Sequence, residues 1–373
     1  MKSLCIYYVI DAYTGPTAGT EKQLLMLING MVGHGHKVQL LVLRHTDYTR
    51  TVTNFPCPIE SLDIRRIASL RTLCRMIQFR VRLRRERPDV VHAFFNDSAI
   101  LIPLFCKLRH IRVFTSRRDM GFWHTTGRLL ILRLANTFAY GIICNSHAVA
   151  RMTREKEGVP WRKLSVVYNG IEDEDSIDAR KMLIHAEHPD FLPEEGSINI
   201  CLVANLRPIK RVEDLVHAAA RVVNRVPRCR FWIVGASRED DYSRSLKQLV
   251  TRLDLEENVR FLGESWHPIQ IMRRCDIGVL TSESEGLSNT LLEYLREGLA
   301  IVCSAVGGNT ELIEHDKSGF LYPSGDVNAL STLLVSLCGD TALRARLAME
   351  ARIQAGRFSM GSSLESYLRI YAV

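Results

Sequence analysis

The chain alternates short apolar runs with amphipathic stretches, a pattern typical of buried parallel strands separated by helices. In the first half, strands are predicted at residues 4–10, 37–43, 89–94, 113–115 and 141–146, with a helix from about 21 to 31 between the first two. Such repeated βαβ units predict a doubly wound domain that binds its ligand at the carboxyl ends of the strands. The first unit contains no G-x-G-x-x-G motif.

The same alternation resumes in the second half. Strands are predicted at 198–204, 230–235, 258–263, 276–280, 300–303 and 319–321, and helices at 212–223, 242–253 and 267–274. A stretch of low periodicity that is rich in Glu, Asp, His and Pro separates the two halves. Because 373 residues exceed what one core usually organises, we predict an α/β protein with two Rossmann-like domains, 1–171 and 198–354, joined by a linker at 172–197.

The composition is that of an ordinary globular protein, since hydrophobic residues make up 46% and charged residues 24%. The apolar runs at 4–10 and 99–106 are too short to cross a bilayer. The ten cysteines include no C-x-x-C pair and no histidines cluster at ligand spacing, so no metal site is assigned and reduced thiols are expected. The acidic run Glu172–Asp175 is interpreted as part of the linker. A reducing, cytoplasmic location is expected.

Nine arginines crowd the segment 65–87, interleaved with apolar residues such as Leu73 and Ile77. The pattern predicts a strongly basic amphipathic helix. Two interpretations stay open: a helix that packs on the sheet with its arginines in water, or a patch that holds an anionic membrane surface or a lipid-linked phosphate. No aromatic stacking platform accompanies the charge, and nucleic acid is therefore not expected as a partner.

A loop over 281–293 lies between a predicted strand and a helical pattern. Ser288 or Asn289 can cap that helix, so unpaired backbone N–H groups and the positive end of the helix dipole meet the loop, where an anion fits. Glu285 and Glu293 bracket this position. Carboxylates repel phosphate but accept hydrogen bonds from hydroxyls, which predicts a sugar on one side and a ribose on the other. The same glutamate pair also fits a structural N-cap loop with a solvated side chain.

The glutamate pair, in the setting Ser284-Glu285-Gly286-Leu287-Ser288-Asn289 followed by a Leu-Leu-Glu helix, resembles the Glu-x7-Glu donor site of retaining family-4 glycosyltransferases with the GT-B fold. Other segments match that family in the same order along the chain: 19–21, 35–38, 145–146, 168–171, 204–210, 259–263, 307–311 and 319–321. One match of this kind carries little information, but the ordered set supports the resemblance across nearly the whole chain.

The resemblance implies two Rossmann-like domains facing an interdomain cleft, with a C-terminal helix, 355–373, that crosses back to the first domain. It implies no resident cofactor or metal, and a UDP- or GDP-sugar as co-substrate. Catalytic roles fall to Glu285, beside the transferred sugar, and to Lys210, which supplies positive charge to the leaving diphosphate. The donor-binding residues implied are Glu293 for the ribose hydroxyls, the loop residues Gly286, Leu287, Ser288 and Asn289, then Asn205 and Arg207 near the diphosphate, and Gly19 from the first domain.

The chain departs from the family at several positions. Asn205 stands where the family usually has a phosphate-binding arginine, so either Arg207 supplies that charge or the diphosphate is held less strongly. Where many relatives carry a histidine, this chain has Arg117, Arg118 and Asp119. These three are candidates for the acceptor side, with a structural ion pair at a strand end as the alternative. Smaller departures occur at Ala18, Tyr294, Arg296 and Ala300.

We therefore expect a retaining glycosyltransferase that moves a sugar from a nucleotide-sugar donor to a saccharide or lipid-linked acceptor. Surface polysaccharide or glycolipid synthesis, at the inner face of the cell membrane, is the expected setting. Two alternative functions are compatible with the same fold. A nucleotide-sugar epimerase would isomerise the donor alone, and a non-catalytic scaffold is made conceivable by Asn205.

Overall fold

The computed structural model describes residues 3–171, 188, 191, 193, 196–237 and 240–372. It divides the chain into two compact units, one made of Met1–Gly170 and Met360–Val373 and the other of Ile171–Ser359. Each unit is an α/β domain built on one parallel sheet, so the predicted fold class of two Rossmann-like domains is confirmed. The predicted linker at 172–197 falls largely, and the acidic run Glu172–Asp175 entirely, outside the described residues.

The first unit is a seven-stranded parallel sheet with helices on its faces. Its strands are β1 Cys5–Ile10, β2 Lys37–Val42, β3 Ile59–Ser61, β4 Val90–Phe94, β5 Arg112–Arg117, β6 Gly141–Cys144 and β7 Leu164–Val166. Its helices are α1 Gly19–Gly33, α2 Asp47–Thr51, α3 Leu70–Glu86, α4 Asn96–Cys106, α5 Thr126–Phe138, α6 His147–Glu157 and, from the end of the chain, α14 Met360–Ala372. The strand order is β3-β2-β1-β4-β5-β6-β7, so the direction in which the chain adds strands reverses between β1 and β4.

Different helices cover the two faces of this sheet. On one face α1 packs against α14, and Leu24 and Tyr371 share a core. The approach is close because Gly30 leaves space for it: a Cβ at that position would lie 2.8 Å from Leu364 Cδ2. On the other face, α3 and α4 pack on the sheet through side chains such as Phe79. The last helix therefore completes the core of the first unit.

A buried histidine fastens this last helix to the sheet. His92, on β4, is 0% exposed, and its ring nitrogens lie 2.6 Å from the Tyr371 hydroxyl and 2.9 Å from Ser116 Oγ. Burial lowers the pKa of His92 to about 3, and the positive charge of Arg118 adds to the effect. The imidazole is therefore neutral at physiological pH, and the helix is held there by hydrogen bonds between neutral groups.

The second unit is a six-stranded parallel sheet. Its strands are β8 Ile198–Val203, β9 Cys229–Val234, β10 Val259–Gly263, β11 Ile277–Leu280, β12 Ala300–Ser304 and β13 Phe320–Tyr322. Its helices are α7 Val212–Val223, α8 Asp241–Arg252, α9 Pro268–Met272, α10 Asn289–Glu297, α11 Asn309–Leu312, α12 Val327–Gly339 and α13 Thr341–Ala355. The order β10-β9-β8-β11-β12-β13 reverses between β8 and β11. Open α/β sheets bind ligands outside the carboxyl ends of the strands at such a reversal.

Each strand predicted from the sequence is present within a residue or two of its predicted bounds. The strands β3 and β7 were missed; both lie at edges of the first sheet, span three residues each and are only half-buried. The helices α2, α4, α5, α6, α11, α12 and α13 were not predicted either, and α4 contains Pro103. None of the helices that the structure describes is both long enough and apolar enough to cross a bilayer.

Candidate functional site

Two loops meet at the strand-order reversal of the second unit. One follows β8 and covers residues 204–211, and the other follows β11 and covers residues 281–288. The backbone N–H of Glu283 donates to Ile209 O at 2.9 Å, and Thr281 Oγ1 donates to Lys210 O at 2.7 Å. The loops therefore form one continuous surface at the place where the topology puts a ligand.

An ion pair joins the two loops. Lys210 Nζ lies 2.6 Å from Glu285 Oε1, and the two side chains are 24% and 11% exposed. Ser282 Oγ donates to the same carboxylate oxygen at 2.6 Å. Burial raises the pKa of the Cys303 thiol on β12, and the negative charge of Glu285 raises it further, so this thiol stays protonated. The two residues with predicted catalytic roles are thus in direct contact, with one hydroxyl holding the carboxylate in place.

Two glycines let the loop after β12 approach the glutamate loop. Gly307 has φ +48°, and a Cβ there would lie 1.8 Å from Glu285 O. A Cβ on Gly308 would lie 2.2 Å from Gly286 O, and the Gly308 N–H donates to Glu285 O at 3.2 Å. A side chain at either position would displace the backbone that carries Glu285.

Helix α10 begins beside this loop. Ser288 is its N-cap and accepts a hydrogen bond from the Leu291 N–H at 3.2 Å, which decides between the two predicted caps. Glu293 lies in the second turn and is half-buried. Tyr294, on the next position, is fully buried against Gly278, where a Cβ would lie 2.6 Å from its ring. The tyrosine is therefore accommodated by a matching glycine on β11, and the departure at this position alters the packing of the core.

The residues that follow β8 alternate between solvent and core. Asn205 and Arg207 are exposed and Leu206 between them is buried, so both polar side chains lie on the solvent side. Asn205 Oδ1 accepts a long hydrogen bond, 3.4 Å, from the Ala236 N–H. The guanidinium of Arg207 has no hydrogen-bond or ion-pair partner among the described residues, whereas Lys210 is engaged by Glu285. Arg207 is therefore a cation available to an anionic ligand two positions from Asn205.

The predicted donor-side glycine lies in the first unit. Gly19 is the first residue of α1 and is exposed, and the preceding Ala18 offers no side-chain cap. Two residues on, Glu21 is 6% exposed and accepts a hydrogen bond from Thr14 Oγ1 at 3.1 Å. Burial raises the pKa of Glu21. The loop before α1 is thus anchored to the helix by a buried carboxyl.

Arg117 is committed to a buried ion pair. Its guanidinium is 4% exposed and makes a bidentate contact with Glu157, through Nε at 2.8 Å and Nη2 at 2.9 Å. Nη2 also donates to Asn136 Oδ1 at 3.0 Å, and Nη1 donates to Thr115 Oγ1 at 3.2 Å. Its donors are therefore satisfied inside the first unit, and the geometry supports the structural alternative for this residue over contact with an acceptor.

Arg118 and Asp119 also make contacts within the first unit. Arg118 Nη2 donates to Asn169 Oδ1 at 2.5 Å. Asp119 Oδ1 accepts from the Gly121 N–H at 2.7 Å and from Trp123 Nε1 at 3.2 Å. Burial raises the pKa of Asp119, although these donors oppose the effect. Both side chains remain half-buried at the end of β5, and their assignment to the acceptor side stays a prediction.

The second unit therefore gathers the following predicted residues around its strand-order reversal: Asn205, Arg207, Lys210, Glu285, Gly286, Leu287, Ser288 and Asn289. Thr281 and Ser282 join them. No pattern in the sequence singles these two residues out, because their role depends on which atoms their hydroxyls reach. Within the described ranges, no group of three or more His, Cys, Asp or Glu residues could hold a metal ion.

Two family models match the chain. The model for glycosyltransferase family 4 matches residues 17–175, and the model for glycosyl transferases group 1 matches residues 184–354. Among curated proteins, the lipopolysaccharide core biosynthesis glycosyltransferase LpsE of Rhizobium meliloti is 24% identical over 368 residues, or 98% of each chain. The N-acetyl-alpha-D-glucosaminyl L-malate synthase of Bacillus anthracis is 29% identical over 207 residues, which is 56% of this chain and only about half, 52%, of that protein.

A solved structure has the same fold over the whole chain. Anabaena HepE, crystallised in complex with UDP, superposes with a TM-score of 0.82 at 22% identity and covers 99% of this chain and 100% of its own. The two family models match the two halves of the chain in the order in which the motifs occur. The chain belongs to the glycosyltransferases that these models describe, family 4 over its first half and group 1 over its second.

Proposed function

We propose that the protein transfers a sugar, with retention of the anomeric configuration, from a nucleoside diphosphate sugar to a saccharide or lipid-linked acceptor, without a metal ion. The observation that carries this proposal is the Lys210–Glu285 contact of 2.6 Å beside the N-terminus of α10, at the strand-order reversal of the second unit. A cation, a helix N-terminus and a carboxylate converge there, which suits a ligand with a diphosphate next to a sugar.

The leaving diphosphate needs positive charge as the glycosidic bond breaks. Lys210 and the N–H groups at the start of α10 supply it, and Arg207, unpaired among the described residues, adds a second full charge near the neutral Asn205. Glu285 has one oxygen held by two donors, which leaves the other to accept a hydroxyl of the transferred sugar. Glu293, further along α10, is assigned to the ribose hydroxyls.

Retention follows when the acceptor attacks from the face that the phosphate leaves. The departing phosphate oxygen then takes the proton of the acceptor hydroxyl, and the step needs no separate protein base. In this arrangement the protein acts by orienting the donor and by stabilising the charge on the diphosphate.

The names of the relatives support the donor and acceptor classes. HepE was also solved with UDP-glucose, and LpsE acts in lipopolysaccharide core synthesis. Another relative, from Escherichia coli, is a UDP-Gal:alpha-D-GlcNAc-diphosphoundecaprenol alpha-1,3-galactosyltransferase, whose acceptor is lipid-linked. We therefore propose a UDP-sugar as donor, with a GDP-sugar as the alternative, and an acceptor in surface polysaccharide or glycolipid synthesis.

A donor screen tests this proposal. The purified protein is incubated with UDP- and GDP-sugars, with and without EDTA, and the products are followed by proton NMR. Slow release of nucleotide and of an α-configured sugar from an α-linked donor is expected, unchanged by EDTA and at least tenfold slower in Lys210→Met. A new epimer of the donor would indicate an epimerase, and no turnover of any donor would contradict the proposal.

We further propose that the first unit binds the surface of an anionic membrane, on its cytoplasmic face, through α3. One side of this helix packs on the sheet through Met76, Phe79 and Leu83. The opposite side carries an apolar stripe with 43–82% exposure, which consists of Leu70, Leu73, Ile77 and Val81. An exposed apolar stripe among arginines is the pattern of helices that lie in the interface of a bilayer.

The arginines of segment 65–87 divide into two groups. Four of the nine have partners within the first unit: Arg75 pairs with Asp63 at 3.4 Å, Arg80 donates to Phe105 O at 2.7 Å, and Arg82 and Arg85 pair with Glu86 at 2.8 and 3.5 Å. The side chains without a hydrogen-bond or ion-pair partner among the described residues are Arg65, Arg66, Arg71, Arg84 and Arg87. The charge available to anionic lipid therefore comes from this second group, at about 1 kcal/mol for each residue near the surface.

A second helix on the same face adds apolar surface. The connections from β3 to β4, β4 to β5 and β5 to β6 all run in the same direction across the sheet, so right-handed crossovers place α3, α4 and α5 on one face. On α5, Leu130, Ile131 and Leu134 are 61%, 49% and 54% exposed, and Phe122 before it is 71% exposed. The first unit thus offers two apolar patches and unpaired arginines to one membrane surface.

A further inference from the structure

Two neighbouring hydroxyls follow β11, and each one reaches a different member of the Lys210–Glu285 pair. Thr281 Oγ1 donates to the backbone oxygen of Lys210 at 2.7 Å, and Ser282 Oγ donates to Glu285 Oε1 at 2.6 Å. Both residues are 0% exposed. They directly follow β11, a strand that is itself fully buried.

Hydrogen bonds to its backbone also hold Ser282 in position. Its backbone oxygen accepts hydrogen bonds from Ser304 Oγ at 2.6 Å and from Ser324 Oγ at 3.2 Å. These contacts tie Ser282 to β12 and to the loop after β13. A hydroxyl whose own backbone is held in this way presents a fixed direction to Glu285.

The hydrogen-bond acceptor of Ser282 is not the one that a buried serine usually has. A buried serine needs only one acceptor, and most buried hydroxyls in proteins use a backbone carbonyl. Ser282 instead donates to a carboxylate oxygen that already receives a hydrogen bond from Lys210. With Oε1 occupied twice, the carboxylate plane is set and Oε2 is left for a ligand.

We propose that Thr281 and Ser282 are positioning residues, Thr281 for the lysine that meets the diphosphate and Ser282 for the glutamate that meets the transferred sugar. This inference rests on the proposed function. It adds that two adjacent hydroxyls directly after one buried strand set the spacing between the phosphate-binding and sugar-binding groups, and that they act on different steps.

Two separate measurements test the inference: the dissociation constant of UDP and the kcat for turnover of the nucleotide sugar. Thr281→Val is expected to raise the dissociation constant of UDP about fivefold and to change kcat less than threefold, because it loosens the backbone of Lys210. Ser282→Ala is expected to lower kcat about 10- to 100-fold and to change UDP binding less than threefold, since it removes a hydrogen bond to a charged carboxylate. Ser331→Ala, which removes a buried hydroxyl on α12, serves as the matched control and should alter neither quantity more than threefold.

The outcomes distinguish a failure of the proposed function from a failure of the positioning roles alone. If the parent protein neither binds UDP nor turns over a nucleotide sugar, the proposed function and this inference fall together. If the parent is active but Ser282→Ala behaves like Ser331→Ala, the positioning role alone is wrong. Should Ser282→Ala fail to fold, Ser282→Cys places a weaker donor in the same space and is expected to lower kcat about 5- to 20-fold; a parental kcat in that variant overturns the inference.

Discussion

Glu157→Gln is expected to destabilise the first unit, because it leaves the buried charge of Arg117 without a countercharge. The glutamate side chain is 0% exposed, accepts three hydrogen bonds from Arg117 at 2.8–3.1 Å and accepts one from Asn136 Nδ2 at 2.8 Å. Removing one partner of such a pair typically costs about 3–5 kcal/mol. The amide keeps the size of the side chain, so the change isolates the charge.

The magnitude also follows from the acidity of the carboxyl. Burial alone would raise the pKa of Glu157, but the charge of Arg117 and the hydrogen bonds lower it from an ordinary value of 4.5 to about 2. At 1.36 kcal/mol for each pKa unit, this lowering of the Glu157 pKa corresponds to about 3 kcal/mol of stability. Because the pKa of the folded state is the lower one, the stabilisation is complete above pH 4.5 and is lost as the pH falls through about 2.

Thermal unfolding at pH 7 measures the effect. A loss of about 3 kcal/mol in a unit of this size lowers Tm by roughly 6–12 °C. Glu155→Gln, an exposed glutamate on the same helix, is the control and should shift Tm by less than about 2 °C. The difference in Tm between Glu157→Gln and the parent should become smaller as the pH falls from 4.5 to 2. A Tm for Glu157→Gln within 2 °C of the parent at pH 7 would refute the reasoning and reopen an acceptor-side role for Arg117.

Three further results are expected. Glu293→Ala should raise the donor KM roughly 10- to 100-fold with an unchanged Tm, since the ribose loses a charged acceptor, and an unchanged KM in steady-state assays would remove that assignment. The triple change of Arg71, Arg84 and Arg87 to Gln should weaken binding to vesicles with anionic lipid about 100-fold, with neutral vesicles as the control; equal binding by variant and parent in a sedimentation assay would favour the solvated-helix interpretation. Tyr371→Phe should cost about 1–3 kcal/mol in denaturant unfolding, because it leaves a buried imidazole nitrogen unpaired, and a parental midpoint would show that the hydroxyl does not hold the last helix.

The alternating pattern predicted the fold because parallel strands are buried on both faces and appear as continuous apolar runs. The exceptions have the opposite property: β3 and β7 are short and half-buried at the edges of the sheet, so hydrophobicity does not mark them. The local sequence identified the loop around Glu285 and restricted the helix cap to Ser288 or Asn289, and the structure shows that the cap is Ser288.

Contacts between distant residues could not be predicted in this way. Arg117 pairs with a glutamate 40 residues further along, and nothing in the local pattern distinguishes it from the neighbouring Arg118, which stays half-buried. Likewise, Tyr294 is a single departure from the family when only the sequence is considered. In the structure its ring packs against Gly278, which has no side chain and therefore leaves room for it. Such pairs depend on three-dimensional packing, which one sequence does not reveal.

A crystal structure of the protein with bound UDP tests the central claim most directly. The account predicts a diphosphate oxygen within about 3 Å of Lys210 Nζ, the second phosphate at the N-terminus of α10, and the ribose hydroxyls at Glu293. Arg207 is expected to turn toward the phosphates in place of the missing arginine at Asn205. A diphosphate bound away from Lys210 and α10, with the Lys210–Glu285 contact undisturbed and its surroundings empty, would contradict the account.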